Sequence, residues 1–384
     1  MRLPAGMPGT WAMTTGGEQM YADDLVRPWW EALGIDCPLF DIHTHVGTND
    51  PSGFSATADD VRSALSSVDA RAAVFPLTEP DGYRAANDAV LAEASCGTLV
   101  PFCRVAPGDD PAAEARRCVE AGAAGIKLHP ASDEFRLDDD ELTGVFGLAH
   151  ELGLPVVVHA GPEIDPFGDT LLSVLERFPG ARFVLAHAGL TDLAWLAGHP
   201  ADNLLFDTSW WSPTDLVTLF GTMPPGKVLF GSDVPYSTPT WGAHATARCA
   251  RYLGLDDVRI ASVLGGQSHR LVNRAELADL GPAPGRVPPL EPLLERLYVY
   301  LVAGVEATKR GETPGQMLDA ARHCCRVRPE HPHRAVFESV EELLDRYEKH
   351  APHLSTGNEY APGWDLIATA AIVARTPGTP LPDL

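Results

Sequence analysis

Basic residues are scarce in this chain. Lysine and arginine total 29 against 52 aspartates and glutamates, a formal charge of −23. A surface of that sign repels phosphate backbones and anionic lipid, which sets aside nucleic acid and membranes as partners. No apolar run approaches the ~20 residues that span a bilayer, and residues 1–19 lack the apolar core of a secretory signal, so none is expected. Cys-x-x-Cys is absent. The seven cysteines (Cys37, Cys96, Cys103, Cys118, Cys249, Cys324, Cys325) are scattered and odd in number. That pattern excludes a disulfide framework and leads to the expectation of reduced thiols in a cytoplasmic protein. No Gly-x-Gly-x-x-Gly follows the first apolar run, so the dinucleotide signature of an open doubly wound sheet is missing as well.

What is present is a cadence. Eight short apolar runs recur at 40–45, 72–77, 99–105, 125–129, 156–159, 183–187, 204–208 and 228–233, with amphipathic stretches between them such as 111–121, 138–152, 169–178 and 191–198. Near-continuous apolar strands, each followed by a helix, imply a parallel sheet covered on both faces. Eight such units predict an α/β fold of the (β/α)8 TIM-barrel kind over residues 36–280. Residues 1–35 read as a leader and an N-terminal helix over 21–33. The Pro/Gly-rich stretch 281–289 reads as a linker. Residues 290–384 read as a helical C-terminal extension with helices over 290–305, 314–327 (Thr313 and Pro314 as cap and first turn), 336–350 and 364–374, then a loose tail from Thr376. The extension is expected to be a subdomain, a lid or a dimer surface.

The polar residues at the strand ends form a pattern. His43 and His45 end the first run, Lys127 and His129 the fourth, His159 the fifth, His187 the sixth and Asp233 the eighth. On a regular strand residues two apart share a face, so Asp41, His43 and His45 are expected on one side. His-x-His alone is a weak signal, and His331-Pro332-His333 repeats the spacing in a polar loop. A backbone carbonyl can satisfy one buried histidine, but five at the catalytic end of a barrel each need a partner, and a shared metal ion supplies it. Trp210, Trp211 and Tyr236 follow runs seven and eight and are expected to wall a pocket for a planar or apolar substrate, or else simply to pack. Cys103 reads as a buried thiol.

His43-Thr44-His45, Pro155-Val-Val-Val-His159-Ala-Gly161, Phe183-Val-Leu-Ala-His187-Ala-Gly189 and Leu229-Phe-Gly-Ser-Asp233-Val-Pro235 resemble the amidohydrolase superfamily. The nearer likeness is to the amidohydrolase-related group that includes aminocarboxymuconate-semialdehyde decarboxylase. Residues 262–271 resemble that group's closing helix, with Gln267 where Asn is usual. The resemblance covers about residues 36–275 and leaves the C-terminal helices without a counterpart.

The resemblance implies that His43, His45, His159 and Asp233 hold one divalent ion, Zn²⁺ first, with Mn²⁺ or Fe²⁺ as alternatives. Such an ion lowers the pKa of water from 15.7 toward about 7. Asp233 would take and return a proton, and His187 would polarise the substrate or serve as the second acid/base. Asp41 is expected either to orient one of the histidines or to be bonded within the core.

Lys127 has three readings: an anchor for a substrate carboxylate, a partner of Glu163 or Asp207, or a carboxylated lysine bridging two ions with His187 on the second. The first two are preferred here. The expected activity is hydrolysis of a small organic amide, ester or lactone, with a carbon–carbon lyase of the decarboxylase type as the rival and a homodimer as the assembly. A TatD-like nuclease is disfavoured by Lys127, where that group has an acid, and by the charge of −23. A silent scaffold barrel would leave every ligand idle.

Overall fold

Eight strands lie side by side in chain order and run parallel: β1 (Leu39–Val46), β2 (Ala70–Pro76), β3 (Leu99–Arg104), β4 (Gly125–Leu128), β5 (Pro155–Val158), β6 (Arg182–Leu185), β7 (Leu204–Asp207) and β8 (Val228–Leu229). The computed structural model describes residues 22–93, 97–108, 110–161, 163–209, 212–354 and 360–383. The ring closes between β8 and β1, where the Ile42 N–H donates to Phe230 O, the His45 N–H to Val234 O and the Asp233 N–H to His43 O, at 2.7–2.9 Å. This is the (β/α)8 barrel expected from the cadence of apolar runs.

Helices cover the ring: α1 (Ala22–Glu31), α2 (Ala58–Ser66), α3 (Arg84–Glu93), α4 (Pro111–Glu120), α5 (Thr143–Leu152), α6 (Gly168–Arg177), α7 (Leu193–Leu196), α8 (Pro213–Thr222), α9 (Pro239–Tyr252), α10 (Asp257–Ala261) and α11 (Gln267–Val272). Local chemistry sets their starts. Thr57 and Asp60 form a reciprocal capping box on α2, and Asp110 and Thr238 cap α4 and α9 with proline at the first helical position. Gly265 sits where a Cβ would meet Pro38 O at 2.2 Å, so only glycine lets the closing helix lie against the start of β1. Gln267, in place of the usual Asn, donates to Gly226 O (2.6 Å) and Ala278 O (3.0 Å) and accepts from the Ala278 N–H (2.9 Å), holding two loops together.

One irregularity decides where the first two histidines point. Asp41 lies opposite Ala72, but Thr44 lies opposite Val74, so β1 takes up one extra residue between them. Phe40 and Ile42 pack in the barrel's inner apolar cluster with Phe75, Phe102, Val157 and Leu205. His43 and His45 nevertheless face the same Phe75 ring, at 5.2 and 4.6 Å. Ile42 and His43 therefore both turn inward across a β-bulge. The expected common face of Asp41 with His43 and His45 does not exist, because the bulge inverts the alternation between them.

The C-terminal helices are α12 (Pro292–Lys309), α13 (Gly315–Cys325), α14 (Arg334–His350) and α15 (Trp364–Arg375). α13 begins one residue later than Thr313-Pro314 predicts, with Pro314 as its uncapped boundary. α15 is buried along its whole length and packs on α1, α8, α9, α12 and α14, so Leu366 and Ile372 share one core with Trp29 and Ala247. The Trp29 Nε1–H donates to Ser339 Oγ at 2.7 Å, and the Arg346 guanidinium lies over the same indole at 4.8 Å. The tail expected to be loose is anchored instead: the buried Arg248 donates to Thr376 Oγ1 (2.9 Å) and Pro380 O (2.7 Å). A buried guanidinium needs those acceptors, and the tail provides them. No described helix is long and apolar enough to cross a membrane.

Asp365, in the first turn of α15, is buried, and burial followed by the charge of Asp23 raises its pKa to about 7. A raised pKa means the native state favours the protonated acid, so this group's contribution to stability is full below pH ~4 and lost as pH rises through ~7. Asp365→Asn is therefore expected to raise the melting temperature more at pH 8 than at pH 5. Equal shifts at the two pH values in paired thermal melts would contradict it.

Candidate metal centre

The centre lies at the carboxyl ends of the strands, above the apolar inner cluster. Inward-facing positions continue upward from apolar to polar: Phe102 to Arg104 on β3, Val157 to His159 after β5, Leu205 to Asp207 on β7. His43 Nε2 lies 3.2 Å from His45 Nε2 and 3.3 Å from Asp233 Oδ1, and His45 Nε2 lies 3.1 Å from the same oxygen. Three donors about 3.3 Å apart form one face of a tetrahedron with centre-to-corner lengths of about 2.0 Å, the length of Zn–N and Zn–O bonds. All three residues are buried and able to hold a metal ion. Burial first, then the charge of Lys127 and the neighbouring rings, drives both imidazoles well below their ordinary pKa, and burial holds Asp233 well above its own, partly offset by Lys127. A cation at the centre of the triangle reverses that preference for the carboxylate and uses the lone pairs of the neutral rings.

Asp207 sets the geometry. Its Oδ2 accepts from His43 Nδ1 at 2.8 Å. A carboxylate only accepts, so it keeps the proton on Nδ1 and leaves the Nε2 lone pair facing the triangle. Its Oδ1 accepts from the backbone N–H of His187 and of Ser209, both at 3.0 Å, and from the Ser209 hydroxyl. Asp41, expected either to orient a histidine or to be bonded within the core, does the latter: it accepts from the backbone N–H of His43 (3.0 Å) and Ser232 (2.9 Å). It braces the bulge and the β8–β1 seam, touching neither ring.

Lys127 is fully buried, with Nζ 3.1 Å from His43 Nε2 and 4.7 Å above the Phe75 ring. It forms no ion pair within 4 Å with Glu163, Asp207 or any other acid among the described residues. The expected lysine–carboxylate contact is replaced by one to the imidazole, because Asp207 and Glu163 are both engaged by histidines. Burial lowers the lysine to about pKa 7, partly offset by the charges of Asp233 and Asp207.

His159 does not stand in the triangle. Its Nδ1 lies 2.9 Å from His187 Nε2, its Nε2 meets Glu163 Oε1, and its ring stacks on His129 at 3.7 Å. His187 and Ala188 have positive φ, which turns the chain sharply at the end of β6 and aims the His187 ring back at the rim. His187 Nδ1 donates to Ser209 O at 2.7 Å. With one proton held by Ser209 O and another by Glu163, two lone pairs face each other across the His159–His187 contact. Such an arrangement is stable only with a proton or a cation between them.

A cavity of about 550 Å³ opens over these groups, bordered also by Arg104, Tyr236, Lys309 and Tyr360. Arg104 is gripped by Asp133 at 3.0–3.2 Å. Tyr236 does wall the pocket, whereas Trp210 and Trp211 lie outside the described residues. Cys103 is buried, its thiol directed at Gly125 O at 3.7 Å.

Sequence reasoning named Asp207 and Glu163 only as lysine partners and did not reach Ser209, Arg104, Lys309 or Tyr360. Asp207 carries the same signal as the others, a polar inward residue ending a strand. Asp207→Asn is expected to weaken zinc binding about 10–100-fold, read by chelator competition, and His43→Ala to abolish it. Full zinc occupancy in His43→Ala would rule out the triangle.

Residues 40–274 match the family model described as Amidohydrolase. Among solved structures, the chain is similar to 5-carboxyvanillate decarboxylase LigW from Sphingomonas paucimobilis, 18% identical with a TM-score of 0.49 over 62% of this chain and 99% of that one. It is similar to IDCase from Metarhizium anisopliae, 16% identical with a TM-score of 0.50 over 62% of this chain and 97% of that one. A third likeness is to a probable 2-pyrone-4,6-dicarboxylic acid hydrolase from Acinetobacter baumannii, 15% identical with a TM-score of 0.48 over 61% and 99%. No curated protein matches the chain. At 16% identity the IDCase likeness speaks to the fold alone. The sequence match covers more than half of the chain and every inward-facing polar residue described above except Lys309 and Tyr360, and by that match the protein belongs to the amidohydrolase family.

Proposed function

We propose that the protein is a metal-dependent hydrolase acting on a small organic amide, ester or lactone. The observation that carries this reading is the triangle of His43 Nε2, His45 Nε2 and Asp233 Oδ1, with edges of 3.1–3.3 Å. These three residues would hold the ion, Zn²⁺ by donor type, with Mn²⁺ or Fe²⁺ as alternatives. When bound, it supplies Lewis acidity to a substrate carbonyl and to water.

This chain's own residues do the rest. Asp233 Oδ2 lies 4.0 Å from His187 Nδ1 and takes the proton of the attacking water, then passes it to the leaving group. The His159–His187 pair, its ring nitrogens directed at each other, at Glu163 and at Ser209 O, offsets the charge of the developing oxyanion from the rim when it holds a shared proton. Lys127, buried beside His43, offsets negative charge as it builds. The substrate is a small molecule, because the site is a cavity and not a groove across the surface. None of the six described cysteines is in a disulfide, which supports a cytoplasmic location as part of the proposal.

A second reading of metal content is favoured by one observation: two ring nitrogens, His159 Nδ1 and His187 Nε2, lie 2.9 Å apart near Lys127. They would suit a second ion if Lys127 were carboxylated. Metal analysis of the purified protein is expected to give one ion per chain, and two would favour the second reading.

The lyase rival uses the same ligands without hydrolysis. Assays of zinc-loaded protein on lactones and esters are expected to release acid, and CO₂ from aromatic carboxylates with no hydrolysis product would overturn the proposal. His187→Gln is expected to lower kcat about 10²–10⁴-fold while zinc content stays unchanged. A loss of zinc in that variant would reassign His187 as a ligand.

A further inference from the structure

His129 follows β4 directly, two residues beyond Lys127, and borders the cavity. The chemistry proposed above makes no use of it. Its ring is nevertheless held in place. The Ser132 N–H reaches His129 Nδ1 at 3.2 Å, and the ring lies on that of His159 at 3.7 Å with 13° between the planes. A backbone N–H can only donate, so Nδ1 accepts and the ring's single proton sits on Nε2. Nε2 has no hydrogen-bond partner among the described residues and is open to the cavity that the ring borders. The fold thus presents an N–H of fixed tautomer to the substrate space.

The turn that carries this ring is braced from behind. The Asp133 N–H donates to His129 O at 3.1 Å, closing residues 129–133 into one turn. Arg104 binds Asp133 Oδ2 through Nε (3.2 Å) and Asp133 Oδ1 through Nη2 (3.0 Å), and Nη2 also donates to Ser132 Oγ at 2.5 Å. The Tyr83 hydroxyl donates to Asp133 Oδ1 at 2.5 Å, and its ring lies under the guanidinium at 4.8 Å. Because Ser132 Oγ accepts from Arg104, its own proton is left to donate elsewhere, and Ser132 borders the cavity too. Two donors, His129 Nε2–H and Ser132 Oγ–H, therefore belong to one cross-bonded turn.

The charge around them selects the ligand. Arg104 is paired with Asp133, His129 is uncharged, and the Glu163 carboxylate stands at Nε2 of the stacked His159 ring. A carboxylate arriving here would meet Glu163 with no uncompensated cation on this turn to offset it, in a chain already at −23. An uncharged carbonyl oxygen needs no counter-charge, and its two lone pairs match two donors.

We infer that His129 and Ser132 bind an uncharged carbonyl oxygen of the substrate, separate from the group held at the metal, and that His129 is thereby a specificity-determining residue. A substrate lacking that oxygen would leave both donors unpaired on binding. The inference rests on the metal reading above, which places the other end of the substrate.

The test uses the full-length zinc-loaded protein and two readouts. Nitrogen NMR with isotopically labelled histidine is expected to show the His129 proton on Nε2, the signals being assigned by their loss in the two variants below. Calorimetry then compares meta- and para-acetylbenzoate with meta- and para-isopropylbenzoate, pairs that match in shape and share a carboxylate for the metal. In the wild type one acetyl isomer is expected to bind about fivefold more tightly than its isopropyl partner, the size of one neutral hydrogen bond. His129→Phe, which keeps a ring against His159, is expected to bring that ratio to within twofold while benzoate binding persists, which also reports an intact fold. His129→Gln, which restores an N–H, is expected to recover it. A proton on Nδ1, a wild-type ratio near one for both isomers, or a ratio that survives His129→Phe overturns the inference, while zinc content near one per chain leaves the metal reading standing. A tenfold gain of isophthalate over benzoate that His129→Phe removes assigns the turn to a carboxylate and overturns it as well. A wild type that binds no zinc overturns both.

Discussion

The contact between His43 Nδ1 and Asp207 Oδ2, 2.8 Å long and wholly buried, joins the first strand of the barrel to the seventh across its mouth. Through its other oxygen Asp207 also holds the backbone N–H of His187 at the end of β6. One carboxylate thus sets the tautomer of a ring in the candidate metal triangle and the start of the turn that aims His187. Removing the oxygen that faces His43 would free that imidazole to rotate or to move its proton to Nε2, and the triangle would lose a lone pair.

Such a cluster costs free energy to bury. Asp41, Asp207, Asp233, Lys127, His43 and His45 are all nearly inaccessible, and each polar atom left unpaired in a low-dielectric interior destabilises the fold. The barrel offsets this in two ways. Its lower interior is entirely apolar, with Phe40, Phe75, Phe102 and Val157 among the residues packed there. Its upper rim is cross-bonded, so that Asp41 satisfies the bulge, Asp207 the rings and the β6 turn, and Glu163 the outer face of His159. The bulge in β1 is part of the same solution: without it Ile42 and His43 would face opposite ways, and the histidines would point out of the mouth.

The C-terminal helices alter the meaning of the barrel. A rim built only from βα loops would leave the β8–β1 side open to water above Tyr236. The aromatic sequence Tyr236, Phe54, Tyr360, Trp364 closes it, and α15, buried from end to end, makes that closure part of the core. The buried Arg248 anchoring Thr376 and Pro380 keeps the far end of the extension on α9, so the wall is fixed at both ends of α15.

The sequence by itself determined the barrel and most of its rim. Eight apolar runs separated by amphipathic stretches leave a parallel closed sheet as the packing that buries every run, and strand-end histidines in such a sheet converge because all eight carboxyl ends share one face. His43, His45, His187, Asp233 and Lys127 were legible on that ground, as was Tyr236. Periodicity could not register the extra residue in β1, since a bulge is defined by what lies opposite it on β2. It therefore misplaced Asp41. Nor could it say which carboxylate meets which base: Asp207 and Glu163 were visible as acids, but pairing depends on inter-strand distances that no local pattern encodes. Only the tertiary structure put Lys309 and Tyr360 at the cavity, because α15 packs on α1, α8 and α9 and α12 packs on α15, through contacts between residues more than a hundred positions apart.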